Sequence, residues 1–201
     1  MSRSIVVFDL GGVLLEWDPR HLYRKLFADE AGMESFLANV CTPEWNARQD
    51  AGRPFADAVA ELAPRHPDKL HLINAWRERF GEMIPDAIHG TVDILRDLKS
   101  RKVPVYALSN WSGETFPSQR ERFPFLEWFD GIVLSGQEGC MKPDERIFRI
   151  LLDRYALAAH DTVFIDDNPN NARAASALGI HGIHFKSPEE LRRELSALGL
   201  L

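Results

Sequence analysis

Four short stretches carry side chains able to do chemistry together: Asp9 followed by Gly11-Gly12, Ser109-Asn110, Lys142-Pro143-Asp144, and Asp166-Asp167-Asn168. Three carboxylates (Asp9, Asp166, Asp167) and one lysine in a confined space leave excess negative charge, which an oxygen-seeking Mg²⁺ would offset. A carboxylate beside such a Lewis acid is a nucleophile towards phosphorus, and Asp9 is the candidate. The Ser109 hydroxyl and the backbone N–H of Asn110 would donate to the oxygens of a transferring phosphoryl group. Lys142 is a point charge suited to the same oxygens and to keeping Asp9 ionised. The implied substrate is an anion. Taken singly, each residue has a plainer reading: a carboxylate as a helix cap, a serine as a turn residue, Lys142-Pro143-Asp144 as a helix start.

What gathers them is the alternation of elements. Ser4 to Phe8 reads as a strand buried on both faces and stopped by Asp9 and the glycine pair. Val103 to Ser109, Gly131 to Ser135, Thr162 to Ile165 and Gly182 to Phe185 repeat the pattern. Between them lie helical spacings: Val92, Leu95 and Leu98; Ile147, Ile150, Leu151 and Tyr155; Ala172 to Leu178. Ser187-Pro188-Glu189-Glu190 is a capping box that opens a last helix to about Leu198. Alternating strands and helices predict an α/β fold with a parallel sheet, and such sheets bind ligands beyond the carboxyl ends of their strands. Asp9, Ser109-Asn110, Lys142 and Asp166-Asp167 would then share one edge.

Residues 18–85 break the alternation, with helical signals throughout. Pro19, Pro43, Pro54 and Pro67 stand where helices would begin, and Gly32, Gly52 and Gly81 near likely ends. This predicts a helical cap domain over 18–85 inserted after the first strand, with 1–17 and 86–201 forming the α/β core; helices covering the sheet itself are the other arrangement.

Composition narrows the function classes. The 24 Lys and Arg against 30 Asp and Glu give a net charge of −6, which removes a generic nucleic-acid binder. No run approaches the roughly 18 apolar residues of a membrane span. The two cysteines, Cys41 and Cys140, form no CxxC or Cys/His array, and the seven histidines no HxxxH or HExxH spacing. A cytoplasmic monomer or homodimer acting on a small phosphorylated molecule, without nucleic acid or membrane, is the expectation.

In their order, FDLGGVL, LSN, MKPD and FIDDN resemble the four motifs of the haloacid dehalogenase-like hydrolase superfamily across nearly the whole chain. ALSNWS, MKPDERIF and VFIDDNPNNARAASALGI look most like small bacterial sugar-phosphate phosphatases and the phosphatase domain of soluble epoxide hydrolases. The resemblance implies a Rossmann-like core with a helical cap, and a phosphomonoesterase that phosphorylates Asp9. By it, Ser109 and Lys142 bind phosphate, and Asp9, the Gly11 carbonyl and Asp167 hold Mg²⁺. Asp166 would support the metal and the lysine from behind, and Asn171 stands where many relatives carry another acid. The pattern departs at Gly11, where the superfamily's phosphatases usually have a second Asp as general acid and base. Loss of a general acid commonly costs about 10²–10⁴-fold, although related glucose-1-phosphate phosphatases resemble this motif with glycine there. A water or a cap residue would have to take the role. A 2-haloacid dehalogenase is the alternative enzyme, disfavoured by the acid pair at Asp166-Asp167, and a phospho-ligand-binding relative without turnover is the non-enzymatic one.

A cap would also determine which ester fits. Trp45 and Gln49, with Arg48 and Arg53 beside them, are candidates for reading a sugar ring, and equally for cap core and solvated face. Trp111, directly after Ser109-Asn110, is a candidate for the pocket mouth.

Overall fold

The computed structural model describes residues 4–201. Five strands form one parallel sheet in the order β3-β2-β1-β4-β5: β1 Ile5–Phe8, β2 Val105–Ser109, β3 Gly131–Leu134, β4 Thr162–Asp166 and β5 His181–His184. The period of two is clean in β1. Val6 and Phe8 enter one apolar cluster, whereas Val7 enters the other.

Several strand limits differ from the apolar runs by a residue or two. β2 starts at Val105 because Pro104 has no N–H for the ladder; its carbonyl accepts from Val6 at 3.1 Å instead. Ser135 leaves β3 to open a short helix, and Asp166 belongs to β4, paired in register with His184. β5 is shifted to begin at His181, although Phe185 N–H still bonds the Asp166 carbonyl at 2.9 Å.

Between β1 and β2 run α1 Arg20–Tyr23, α2 Glu30–Asn39, α3 Pro43–Asp50, α4 Phe55–Leu62, α5 Leu70–Glu78 and α6 His89–Ser100. The prolines do mark starts. Pro43 is the first residue of α3, capped by Thr42 Oγ1 accepting from Trp45 N–H at 3.1 Å; Pro19 and Pro54 immediately precede α1 and α4; Pro67 opens a 3₁₀ turn ahead of α5. Gly32 does not end a helix: it lies in the first turn of α2, where its N–H bonds the capping Asp29 at 2.7 Å. Gly81 likewise falls inside a 3₁₀ turn, Phe80–Met83.

Leu22, Met33, Phe36, Trp45, Phe55 and Trp76 from this helical stretch share one contiguous apolar cluster with Val6, Phe8 and Ile165 of the sheet. The opposite face packs Val7, Leu108, Val133 and Phe164 against Ile147, Phe148 and Leu151. The remaining helices are α7 Phe116–Arg122, α8 Ser135–Glu138, α9 Glu145–Arg154, α10 Pro169–Ala177 and α11 Pro188–Ala197. Ser187 caps α11 by accepting from Glu190 N–H at 3.2 Å, as its sequence predicts. Both cysteines are buried free thiols, one in each cluster. Among the described residues no helix is long and apolar enough to cross a membrane.

Candidate active site

Phe8 pairs in register with both Ala107 and Ile165, so the chain leaves β1 at Asp9 level with the ends of β2 and β4. Ser109 closes β2 and Asp166 closes β4, both buried. Lys142 arrives from the loop between α8 and α9 with its side chain fully enclosed. Its ammonium lies 2.9 Å from Asp9 Oδ1 and 2.7 Å from Asp166 Oδ2, and donates to the Leu108 carbonyl at 2.8 Å. Those three acceptors use all three N–H groups. A phosphate oxygen would therefore have to displace one of them, which makes Lys142 first a clamp on two carboxylates.

Burial pulls the Lys142 ammonium down, and Asp9 and Asp166 outweigh it, holding the group above the ordinary lysine value. Asp9 shows the converse balance. Burial pushes its carboxyl up, Lys142 pulls it down, and the neighbouring Asp166 and Asp167 push it up again; the net direction is upward.

Asp166 has little capacity left for any further ligand. Besides Lys142, its oxygens accept from Asn168 N–H at 2.8 Å and from Asn171 Nδ2 at 3.0 and 3.1 Å. Asn171 Oδ1 is buried without a hydrogen-bond partner. Asp167 is exposed, and its carboxyl is also raised by burial of its surroundings and by Asp166. One oxygen each from Asp9, Asp166 and Asp167 lie within 4.8 Å of one another. Asn110 spends its side chain elsewhere: its Nδ2 donates to the Lys142 carbonyl at 3.0 Å and its Oδ1 accepts from Lys142 N–H at 2.9 Å.

The two glycines after Asp9 are there for different reasons. Gly12 has φ +72°, and a Cβ on it would fall 2.4 Å from Asp167 Oδ2. At Gly11 a Cβ would meet only Trp17 Cβ at 3.7 Å, ordinary contact. Space does not demand glycine at position 11.

These groups open onto a cavity of about 290 Å³. Asp9, Ser109, Asn110, Asp167 and Asn171 line it, as do both glycines and Trp111. Trp111 is fixed there by Nε1–H donating to Thr115 Oγ1 at 3.0 Å and by ring contacts with Phe80 and Phe116. Trp45 and Gln49 do not line the cavity. Trp45 packs edge-on against Trp76 and Phe55, and Gln49, fully buried, donates to the Trp45 carbonyl. Their helix neighbours Asn46 and Asp50 face the cavity instead, joined by Trp17 and Phe80. The sequence signal for that pair was an amide and a carboxylate four residues apart on one helix face.

Asp50 ties α3 to the α/β unit. Its Oδ1 accepts from Ser112 N–H at 3.2 Å and its Oδ2 from Asn46 Nδ2 at 2.7 Å, while its backbone carbonyl accepts from Ser135 Oγ. Burial pushes its carboxyl up and Asp9 adds to this, against the bonds from Ser112 and Asn46; the result is about 7. A larger surface hollow of about 570 Å³ near Lys25, Arg79 and Arg122 has its cations already engaged. Lys25 and Arg79 bond Glu82, and Arg122 bonds the carbonyls of Gly81 and Pro85.

Residues 4–179 match the family of haloacid dehalogenase-like hydrolases. A sesquiterpene phosphatase, astK, from Aspergillus oryzae is 28% identical over 180 residues, covering 89% of this chain and 88% of that protein. A D-ribitol-5-phosphate phosphatase from Bacteroides thetaiotaomicron is 23% identical over 96% of this chain and 97% of its own length. Two further relatives are longer proteins, of which the chain spans 8% and 36%. In fold, the chain is similar to the magnesium complex of a HAD family enzyme from Bacteroides thetaiotaomicron, with TM-score 0.75 and 22% identity, over 97% of this chain and 99% of that one.

Proposed function

The chain belongs to the haloacid dehalogenase-like hydrolases and is an enzyme of their phosphatase type, and from that premise we propose a Mg²⁺-dependent phosphomonoesterase of small phosphate esters, sugar phosphates foremost, working through an aspartyl-phosphate on Asp9. The observation that carries this reading is Asp9, clamped from behind by the enclosed Lys142–Asp166 pair, lining one cavity together with Ser109, Asn110 and the open carboxylate of Asp167.

The donor set fits a hard divalent cation: three carboxylate oxygens within 4.8 Å of one another, and the orphaned Asn171 Oδ1 beside them. Asp9, Asp167 and the Gly11 carbonyl would hold it, with Asp166 and Asn171 in support. When bound, Mg²⁺ supplies charge neutralisation and polarises a phosphoryl oxygen. Lys142 orients Asp9 and offsets its charge. Ser109 and the Asn110 N–H receive the phosphoryl oxygens. Helices within 18–85 act as a lid over the α/β unit of 1–17 and 86–201, and the cavity walls they add set the leaving group. Trp17, Phe80 and Trp111 offer faces for a ring while Asn46 and Asp50 offer hydrogen bonds, a mixture suited to a polyol. The buried free thiols agree with a reducing cytoplasm.

The test is phosphate release from sugar phosphates, D-ribitol 5-phosphate, isoprenoid phosphates and p-nitrophenyl phosphate, with Mg²⁺ and with EDTA. Metal-dependent release with sugar or polyol phosphates ranked first supports the reading. No release from folded protein, or release indifferent to EDTA, overturns it.

A further inference from the structure

We propose that Asp50, delivered to the cavity by α3, is the proton donor to the departing alcohol, the role that Gly11 has no side chain to fill. This rests on the phosphomonoesterase reading above and assigns a catalytic part to a residue outside the four motif stretches.

Position comes first. Asp50 lines the same cavity as Asp9, Ser109 and Asn110. It is held there by the residues that directly follow the Ser109-Asn110 pair: Ser112 N–H bonds its carboxylate, and Trp111 N–H bonds Ser135 Oγ at 2.9 Å, which in turn donates to the Asp50 carbonyl. The carboxyl is thus fixed relative to the groups that would bind the phosphoryl oxygens. Charge comes second. Asp9 and Asp166 share Lys142, whereas among the described residues no lysine, arginine or histidine forms an ion pair with Asp50. Burial, with Asp9 nearby and no cation paired to it, pushes this carboxyl up to about 7 against the opposing bonds from Ser112 N–H and Asn46. Room comes third: Gly11 lines the same cavity and puts no side chain into it.

The step balances as follows. An Asp9 carboxylate oxygen forms a bond to phosphorus as the phosphorus–ester-oxygen bond breaks. The electron pair of that bond goes to the ester oxygen, which takes the Asp50 proton and leaves as a neutral alcohol. Asp50, now a carboxylate, accepts a proton from the water that attacks the aspartyl-phosphate, so that inorganic phosphate departs and both aspartates return to their starting states.

The experiment measures kcat/KM with Mg²⁺ for p-nitrophenyl phosphate, whose phenolate leaves without a proton, and for phenyl phosphate, whose leaving group needs one. Asp50→Asn should lose about 10²-fold or more on phenyl phosphate, within the range for a removed general acid, and less than about tenfold on p-nitrophenyl phosphate. Adding Gly11→Asp to Asp50→Asn should recover part of the phenyl phosphate loss. Asp50→Ser serves where Asp50→Asn does not fold, as judged by thermal melting. Equal losses on the two esters, or none on either, overturn the assignment while leaving the phosphatase reading intact. Wild-type protein that hydrolyses neither of these esters nor any phosphate of the panel above overturns that reading instead, and this assignment with it. Should it hydrolyse only panel phosphates, the same comparison is made on the best of them, where Asp50→Asn retaining wild-type kcat/KM overturns the assignment.

Discussion

Lys142 and Asp166 form an ion pair of 2.7 Å in which neither side chain has any solvent exposure. Breaking a buried pair from one side strands the other charge, at a cost of about 3–5 kcal/mol. Lys142→Met should therefore destabilise the protein by about that much, with Asp166→Asn in the same chain restoring part of it. Urea unfolding measures both, and a loss from Lys142→Met well under about 1 kcal/mol would show that Asp166 has another counter-charge.

Gly12 and Asp167 make the second prediction. Because a Cβ on Gly12 would press against the Asp167 carboxylate at 2.4 Å, Gly12→Ala must move either the turn or the proposed metal ligand. The Mg²⁺ concentration for half-maximal activity should rise about 10–100-fold, as for a displaced supporting group. The left-handed φ adds a stability cost of about 1–3 kcal/mol. Unchanged Mg²⁺ dependence would show that the turn, and not the Asp167 carboxylate, gives way.

Trp45 and Trp17 should separate stability from selectivity. Trp45 is 3% exposed and packed among aromatic rings, so Trp45→Ala should cost about 3–5 kcal/mol. Trp17 is 38% exposed and lines the cavity, so Trp17→Ala should raise KM with a small change in melting temperature. The reverse pattern would mean that the substrate enters from the other side of α3.

Asp50 should also be legible in stability against pH. Its carboxyl is raised from 3.8 to about 7, so between those values the folded chain holds a proton that the unfolded chain has released. That contribution is full below pH 3.8 and is lost as pH rises towards 7. The melting temperature of Asp50→Asn minus that of wild type should therefore climb from pH 4 to pH 7 and level off above. A difference that stays constant across the window would place the Asp50 carboxyl in an ordinary solvated environment.

Much of this site was legible from residue order. Asp9, Ser109 and Asp166 were found because a strand that stops at a polar residue in a parallel sheet places that residue on the ligand edge, and this holds even where a strand limit is off by one. What α3 contributes is legible only in the four-residue spacing of Asn46 and Asp50, which does not say which side of the helix faces the cavity. Trp45 and Gln49 are stacking and hydrogen-bonding types, but they lie on the buried side, and one step round the helix Asn46 and Asp50 face the cavity. The amphipathic contrast in PEWNARQD is too weak to show which side faces in, since Asn46 and Gln49 are polar and buried alike. The use of all three Lys142 donors by protein groups depends on the Leu108 carbonyl, a backbone atom that side-chain types do not reveal.

The most direct measurement is mass spectrometry of peptides from protein acid-quenched during turnover with p-nitrophenyl phosphate and Mg²⁺. The account predicts one added phosphoryl group on the peptide carrying Asp9, absent in EDTA and absent in Asp9→Asn, which should be inactive. Turnover with no phosphoryl group on that peptide, together with an active Asp9→Asn, would contradict it.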